Sequence, residues 1–108
     1  MANVTCSFDT LPDLIADIPG GAPLRQALQA AADACRSRFG ASMRFVDLAG
    51  PRWAYLAGAR GDFPSTRPVC RERLTDAVGL VTDIREQVPD QVWLLTIRAL
   101  RDLINGSQ

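Results

Sequence analysis

The 108-residue sequence contains no lysine and no histidine, and only two of its twelve acidic residues are glutamate. Without lysine, Schiff-base chemistry and the phosphate-binding lysine of a P-loop are both excluded. Without histidine, the Ser-His-Asp and Cys-His catalytic systems, histidine-ligated metals and a histidine pH switch are excluded as well. These absences favour a binding protein over an enzyme, with no cofactor and no metal. Arginine in place of lysine, with many alanines and aspartates, also fits the coding bias of a GC-rich genome and suggests a bacterial source.

The charges of the chain cancel. Its twelve arginines are balanced by twelve acidic residues, which gives a net charge of zero and a pI near 6.1. A neutral protein has no long-range field that draws it to DNA, RNA or anionic lipid. The longest apolar run, residues 92–97, is far too short to cross a bilayer. We therefore expect neither a nucleic acid nor a membrane among the partners.

Length and cysteine usage set the expected size and compartment. A chain of this length with 47% hydrophobic residues can build one packed core but not two, so residues 1–108 are expected to form a single compact domain. Cys6, Cys35 and Cys70 are odd in number and widely spaced, which is typical of reduced thiols. The first residues show no basic segment followed by an apolar one, so no signal peptide is expected. The expected location is the cytoplasm.

Apolar spacing predicts a first long helix over about residues 23–39. Pro23 suits the first turn of a helix, and Gly40 suits the position just after its end. Between them, apolar residues recur with a helical period at Leu24, Leu28, Ala31 and Cys35. A shorter helix is predicted over residues 10–18, and a weak strand over residues 4–8.

Strand-forming residues predict a β-hairpin over about residues 42–59, with its turn at residues 50–52. Helical spacing then predicts a helix over about residues 68–88, from the apolar series Cys70, Leu74, Ala77, Val78, Val81, Ile84 and Val88. A last helix is predicted over residues 89–105. Because the apolar series continues across Pro89, one kinked helix is an alternative to two. The expected fold class is α+β, a small antiparallel sheet built around the hairpin and packed by the three long helices.

A candidate anion site lies at the predicted start of the helix over residues 68–88. Backbone N–H groups, a helix dipole and nearby arginines are the groups that bind phosphate or carboxylate. The candidate ligand-binding residues are Arg67, Cys70, Arg71 and Arg73. The same surroundings would favour the thiolate form of an exposed Cys70, so a redox thiol is an alternative. A second alternative is that Cys70 is simply the first buried residue of the helix.

The predicted elements carry more apolar surface than a small domain always buries. The hairpin is apolar on both faces, and the last helix has a wide apolar arc, so a protein partner or a second copy is expected. Trp53, Tyr55 and Trp93 are the candidate interface residues, because aromatic residues anchor many interfaces. The alternative is a well-filled core in a monomer.

The hairpin also carries arginines beside its aromatic residues, a combination that single-stranded nucleic acids use as a binding surface. These arginines are Arg44, Arg52 and Arg60. The chain has no basic footprint to accompany them, so nucleic acid stays excluded.

These observations predict a non-enzymatic cytoplasmic domain that binds other proteins and self-associates as a homodimer. One alternative is a small sensor or carrier that holds an anionic ligand at residues 66–73. Another is a thiol-based redox protein that uses Cys70.

Overall fold

The structure, a computed structural model, describes residues 8–51, 53–61, 63 and 68–106. Within these ranges it contains three α-helices and one four-stranded antiparallel sheet, so the α+β prediction is confirmed. In chain order the elements are α1 (Leu11–Ala16), α2 (Leu24–Phe39), β1 (Met43–Asp47), β2 (Ala54–Gly58), β3 (Cys70–Arg73), β4 (Val78–Thr82) and α3 (Asp90–Asn105). Short 3₁₀ turns precede α1 and lie between β4 and α3. The weak strand predicted at residues 4–8 falls almost wholly outside the described residues.

The helices predicted over residues 23–39 and 89–105 are confirmed as α2 and α3. Each begins directly after a proline with extended backbone, Pro23 and Pro89, which has no N–H to leave unpaired. The end of α2 is fixed by Gly40, whose left-handed φ of 67° lets its N–H donate to the Arg36 carbonyl at 2.9 Å. No helix among the described residues has the length and apolarity needed to cross a membrane.

The hairpin predicted over residues 42–59 is confirmed as β1 and β2, with Arg52 in its turn outside the described residues. The spatial order of the sheet is β2-β1-β4-β3, so β1 also pairs with β4, and Phe45 lies opposite Leu80. The β1–β2 and β3–β4 hairpins are therefore joined into one sheet by the β1–β4 pair. This arrangement places β1 and β4 at the centre of the sheet and β2 and β3 at its edges.

The prediction of a helix over residues 68–88 is wrong, and so is the alternative of one kinked helix over residues 68–105. The chain forms the β3–β4 hairpin here, in which Arg71 pairs with Val81 and Arg73 pairs with Gly79. All five residues of β4 are buried, and a fully buried strand gives a continuous apolar run whose spacing also matches a helix.

Local chemistry at the β3–β4 turn explains why the strand form wins. The Thr75 hydroxyl accepts hydrogen bonds from the N–H groups of Ala77 and Val78, at 3.2 and 3.1 Å. The N–H groups of Leu74 and Thr75 both donate to the Val78 carbonyl. A threonine that bonds to backbone groups ahead of it in the chain favours a turn over a helix. The β-branched residues of β4 then suit a strand better than a helix.

The helices pack on one face of the sheet. Met43, Phe45 and Leu80 point toward Leu28 of α2 and Leu100 of α3, and all five side chains are almost completely buried in one core. Because side chains alternate along a strand, the residues between them point to the second face. None of the described helices lies over that second face.

Candidate functional site: the open face of the sheet

The uncovered face of the sheet carries alternate residues of all four strands. Arg44 of β1, Val81 of β4 and Arg71 of β3 form one row across the sheet, because Val81 is the register partner of both arginines. At the usual strand spacing the two arginines start roughly 9.5 Å apart, with the valine between them. In the next row, Val46 lies opposite Tyr55 of β2.

These residues surround a shallow depression of about 730 Å³, which we call the open face. Its lining residues are Arg44, Val46, Trp53, Tyr55, Arg60, Gly61, Arg71 and Val81. The floor is apolar because it is formed by Val46 and Val81. These valines lie outside the main core, yet they are only 3% and 8% exposed. The rim is cationic and aromatic. The open face therefore combines an apolar contact surface with positive charge.

Each rim arginine lies over an aromatic ring. The guanidinium carbon of Arg60 is 4.7 Å from the centre of the Tyr55 ring, and that of Arg71 is 5.5 Å from the centre of the Trp53 ring. Arg44 lies 4.8 Å from the centre of the Phe63 ring. Stacking on a ring restrains a guanidinium without neutralising its charge, and its N–H donors remain available at the edge of the plane. The three cations are thus partly preorganised.

Hydrogen bonds fix the β2 end of the open face. Arg44 donates from Nε to the Ala59 carbonyl at 2.8 Å and from Nη2 to the Gly61 carbonyl. The Tyr55 hydroxyl donates to the Gly58 carbonyl at 2.8 Å, which holds the ring beside the depression. The chain after β2 is therefore tied to the rim of the site that it helps to form.

Among the residues that the structure describes, no carboxylate lines the open face. In the part of the chain that the structure describes, the single ion pair joins Arg85 to Asp90 at 2.7 Å, at the start of α3. Arg44, Arg60 and Arg71 thus have no described acidic partner. The zero net charge of the chain hides this local excess, because acidic residues elsewhere, such as Asp13 of α1 and Asp90 and Asp102 of α3, balance it.

The structure divides the predicted anion site. Residues 70–73 form a strand, so the prediction that a helix start and its dipole lie here is wrong. Arg71 and Arg73 point to the uncovered face of the sheet, whereas Cys70 points to the opposite side, because it pairs with the inward-facing Thr82. Arg67 lies outside the described residues. Among the four candidate residues, the structure places Arg71 in the depression itself.

The predicted interface residues are also divided. Trp53 and Tyr55 remain exposed, at 42% and 38%, and both line the open face. Trp93 is only 4% exposed in the core, with the Arg85 guanidinium 5.1 Å from its ring centre. The structure therefore joins Arg71 from the predicted anion site to two aromatics from the predicted interface, and it leaves Trp93 apart.

Sequence reasoning missed the floor of the site. Val46 and Val81 come from strands about 35 residues apart, and only their pairing through β1 and β4 brings them together. Arg44 and Arg60 could have been found from the arginine–aromatic composition of the first hairpin. The zero net charge of the chain argues against that signal.

Outside the open face, metal-ligating and thiol groups are the next candidates among the described residues. These residues contain no group of three or more cysteine, aspartate or glutamate side chains placed to hold a metal ion. Cys35 is fully buried in α2, and burial raises the pKa of its thiol from 9.0 to about 12, because the thiolate would lose its hydration. Such a thiol is a poor nucleophile near neutral pH.

Comparison with protein families, with curated proteins and with solved structures finds no match to this chain.

Proposed function

We propose that this chain is a non-enzymatic cytoplasmic binding domain whose open face holds a small amphiphilic anion. The apolar or aromatic part of the ligand packs on the exposed rings of Trp53 and Tyr55, above the valine floor, and its phosphate or carboxylate accepts hydrogen bonds from the rim arginines. The observation that carries the proposal is three aromatic-stacked guanidiniums around an apolar floor, with no described carboxylate among them.

The size and chemistry of the depression support a small ligand. Its volume of about 730 Å³ falls within the usual range for small-molecule sites, which runs from roughly 300 to 1,000 Å³. Arginine binds carboxylate and phosphate through paired N–H donors, and the exposed ring of Trp53 can cover an apolar body. The chain as a whole carries no net charge, which favours a compact anion over a nucleic-acid polymer.

The composition of the lining supports binding without turnover. Among the described lining residues there is no cysteine, serine, threonine or acid that could act as a nucleophile or general base. The Tyr55 hydroxyl already donates to a carbonyl of its own strand. The chemistry that remains is charge neutralisation and apolar contact.

The proposal is tested by titrating the protein with phenyl phosphate while following tryptophan fluorescence. We expect a saturable change, because Trp53 lines the site, and we expect Trp53→Phe to remove that change. Inorganic phosphate and benzyl alcohol, which carry only the charge or only the ring, should each bind more weakly. Arg71→Gln should weaken phenyl phosphate binding by about 10-fold or more, since a charge-assisted hydrogen bond is lost.

Arg25→Gln is the matched control, because it removes the same charge from an exposed position on α2, away from the sheet. It should leave the affinity unchanged. The proposal is wrong if phenyl phosphate gives no saturable response at millimolar concentration. It is equally wrong if Arg71→Gln and Arg25→Gln reduce the affinity to the same extent, because that result would mean general charge attraction only.

A further inference from the structure

A second surface, independent of the proposed ligand site, lies where α1 packs against α3. A groove of about 460 Å³ runs between the two helices. Pro12, Ile15 and Ala16 of α1 form one wall, and Leu95, Ala99 and Leu103 of α3 form the other. The groove is mostly apolar and open along its length, so it can receive side chains from outside the molecule.

Two consecutive leucines on α3 are left exposed beside this groove. Leu94 is 68% exposed and Leu95 is 52% exposed, the two highest values among the exposed large hydrophobic residues described. Leu95 lines the groove, whereas Leu94 does not and is free to project from the helix. One surface therefore carries a protruding apolar side chain and, next to it, an apolar cavity. Apolar patches of this kind on a small domain mark contact surfaces.

The charges around the groove indicate which occupant fits. Asp13 of α1 and Arg98 and Asp102 of α3 lie along it, so the surface holds both signs of charge close together. None of the three is in a described ion pair within the chain. In a two-fold dimer the same patch meets itself, and a patch with both signs can then pair its arginine with a carboxylate of the other copy. A partner of one charge sign would instead meet like charge somewhere along the groove.

We propose that this surface joins two copies of the chain about a two-fold axis, with Leu94 of each copy seated in the α1–α3 groove of the other. The two Leu94–groove contacts are equivalent by symmetry, so each dimer buries two Leu94 side chains. The open face of the sheet lies outside this contact and stays accessible in the dimer.

The test is sedimentation velocity of the full chain over a concentration series, with Leu94→Glu as the interface variant. We expect a monomer–dimer equilibrium in which Leu94→Glu raises the dimer dissociation constant by roughly 100-fold, because two leucines are lost from the contact. Gln91→Glu is the matched control, since it adds the same charge at an exposed position one turn earlier on α3. It should change the constant little. Because Leu94 is mostly exposed, both variants should keep the circular dichroism spectrum of the parent.

Three results would overturn the inference. The first is a monomer at every concentration, including the millimolar range. The second is an equal effect of Leu94→Glu and Gln91→Glu. The third is a dimer that survives Leu94→Glu and is lost on Trp53→Ala, which would place the contact on the open face. Phenyl phosphate binding is measured separately, so failure of the dimer leaves the proposed ligand site intact, and the reverse also holds.

Discussion

The buried thiol of Cys35 predicts how the stability of the protein depends on pH. The side chain is fully buried in α2, and loss of hydration raises the pKa of its thiol from 9.0 to about 12. A pKa that is raised in the folded state means that the folded chain holds its proton more tightly than the unfolded chain does. The associated stability is therefore complete below pH 9 and is lost as pH rises from 9 toward 12.

The size of this loss follows from the two pKa values. One pKa unit corresponds to about 1.4 kcal/mol, so the full shift amounts to about 4 kcal/mol above pH 12. At pH 10.5 the thiol is almost fully ionised in the unfolded chain and almost fully protonated in the folded chain. The predicted loss at that pH is about 2 kcal/mol relative to neutral pH, a large fraction of the stability of a small domain.

The assay is urea unfolding followed by far-UV circular dichroism at pH 7.5 and pH 10.5, for the parent and for Cys35→Ala. Alanine carries no titrating group, so the difference between the two proteins isolates the thiol from every other group. The difference in the free energy of unfolding should shift by about 2 kcal/mol in favour of the variant at the higher pH. If the difference stays constant between the two pH values, the burial argument for Cys35 is refuted.

Two further predictions test the backbone of the sheet. Gly58 has a φ of +99°, and an added Cβ would overlap the Met43 carbonyl oxygen, so Gly58→Ala should lower the free energy of unfolding by about 3 kcal/mol in urea unfolding. Gly50→Ala, where nothing lies near the added carbon, should stay within about 0.5 kcal/mol of the parent, and equal effects would contradict the strain. Thr75→Ala should destabilise by about 1 kcal/mol through the lost turn hydrogen bonds, with Thr75→Ser retaining most of them. A helix would instead gain about 0.5 kcal/mol from the alanine, so a stabilising result would disprove the β3–β4 turn.

The parts of the fold that the sequence predicts correctly are those with a local signal. α2 is marked by a proline before it, a glycine after it and a regular apolar stripe between them, and the structure uses each of these signals. The first hairpin has strand-forming residues on both sides of a turn. In such segments, local propensity and burial agree, so the pattern alone is sufficient.

The β3–β4 hairpin could not be assigned in the same way. Val78, Val81 and Ile84 keep helical spacing, but a fully buried strand gives the same apolar pattern over so short a run. What decides between them is pairing with β1, about 35 residues away, and no local pattern reports that contact. A threonine followed by hydrophobic β-branched residues was the available hint of a turn and strand.

The candidate site was predicted in pieces. The sequence indicates Arg71 for an anion site and Trp53 and Tyr55 for a protein interface, which are two different sites. Their union depends on the β2-β1-β4-β3 order, which places the two hairpins side by side. Neighbouring residues of a strand point to opposite faces of the sheet, so Cys70 and Arg71 lie on different faces. The helix predicted over residues 68–88 instead places both of them in one site.

The open face exists only after the two hairpins have joined. The first hairpin supplies Arg44 and Tyr55, the second supplies Arg71 and Val81, and an isolated hairpin is marginal in water. A molecule bound there would bind the joined sheet and neither hairpin alone. At a free concentration of 100 times its Kd, such a molecule would add about 2.7 kcal/mol to the free energy of unfolding by mass action. Occupancy of the face by such a molecule and closure of the β1–β4 pair would then be a single coupled equilibrium.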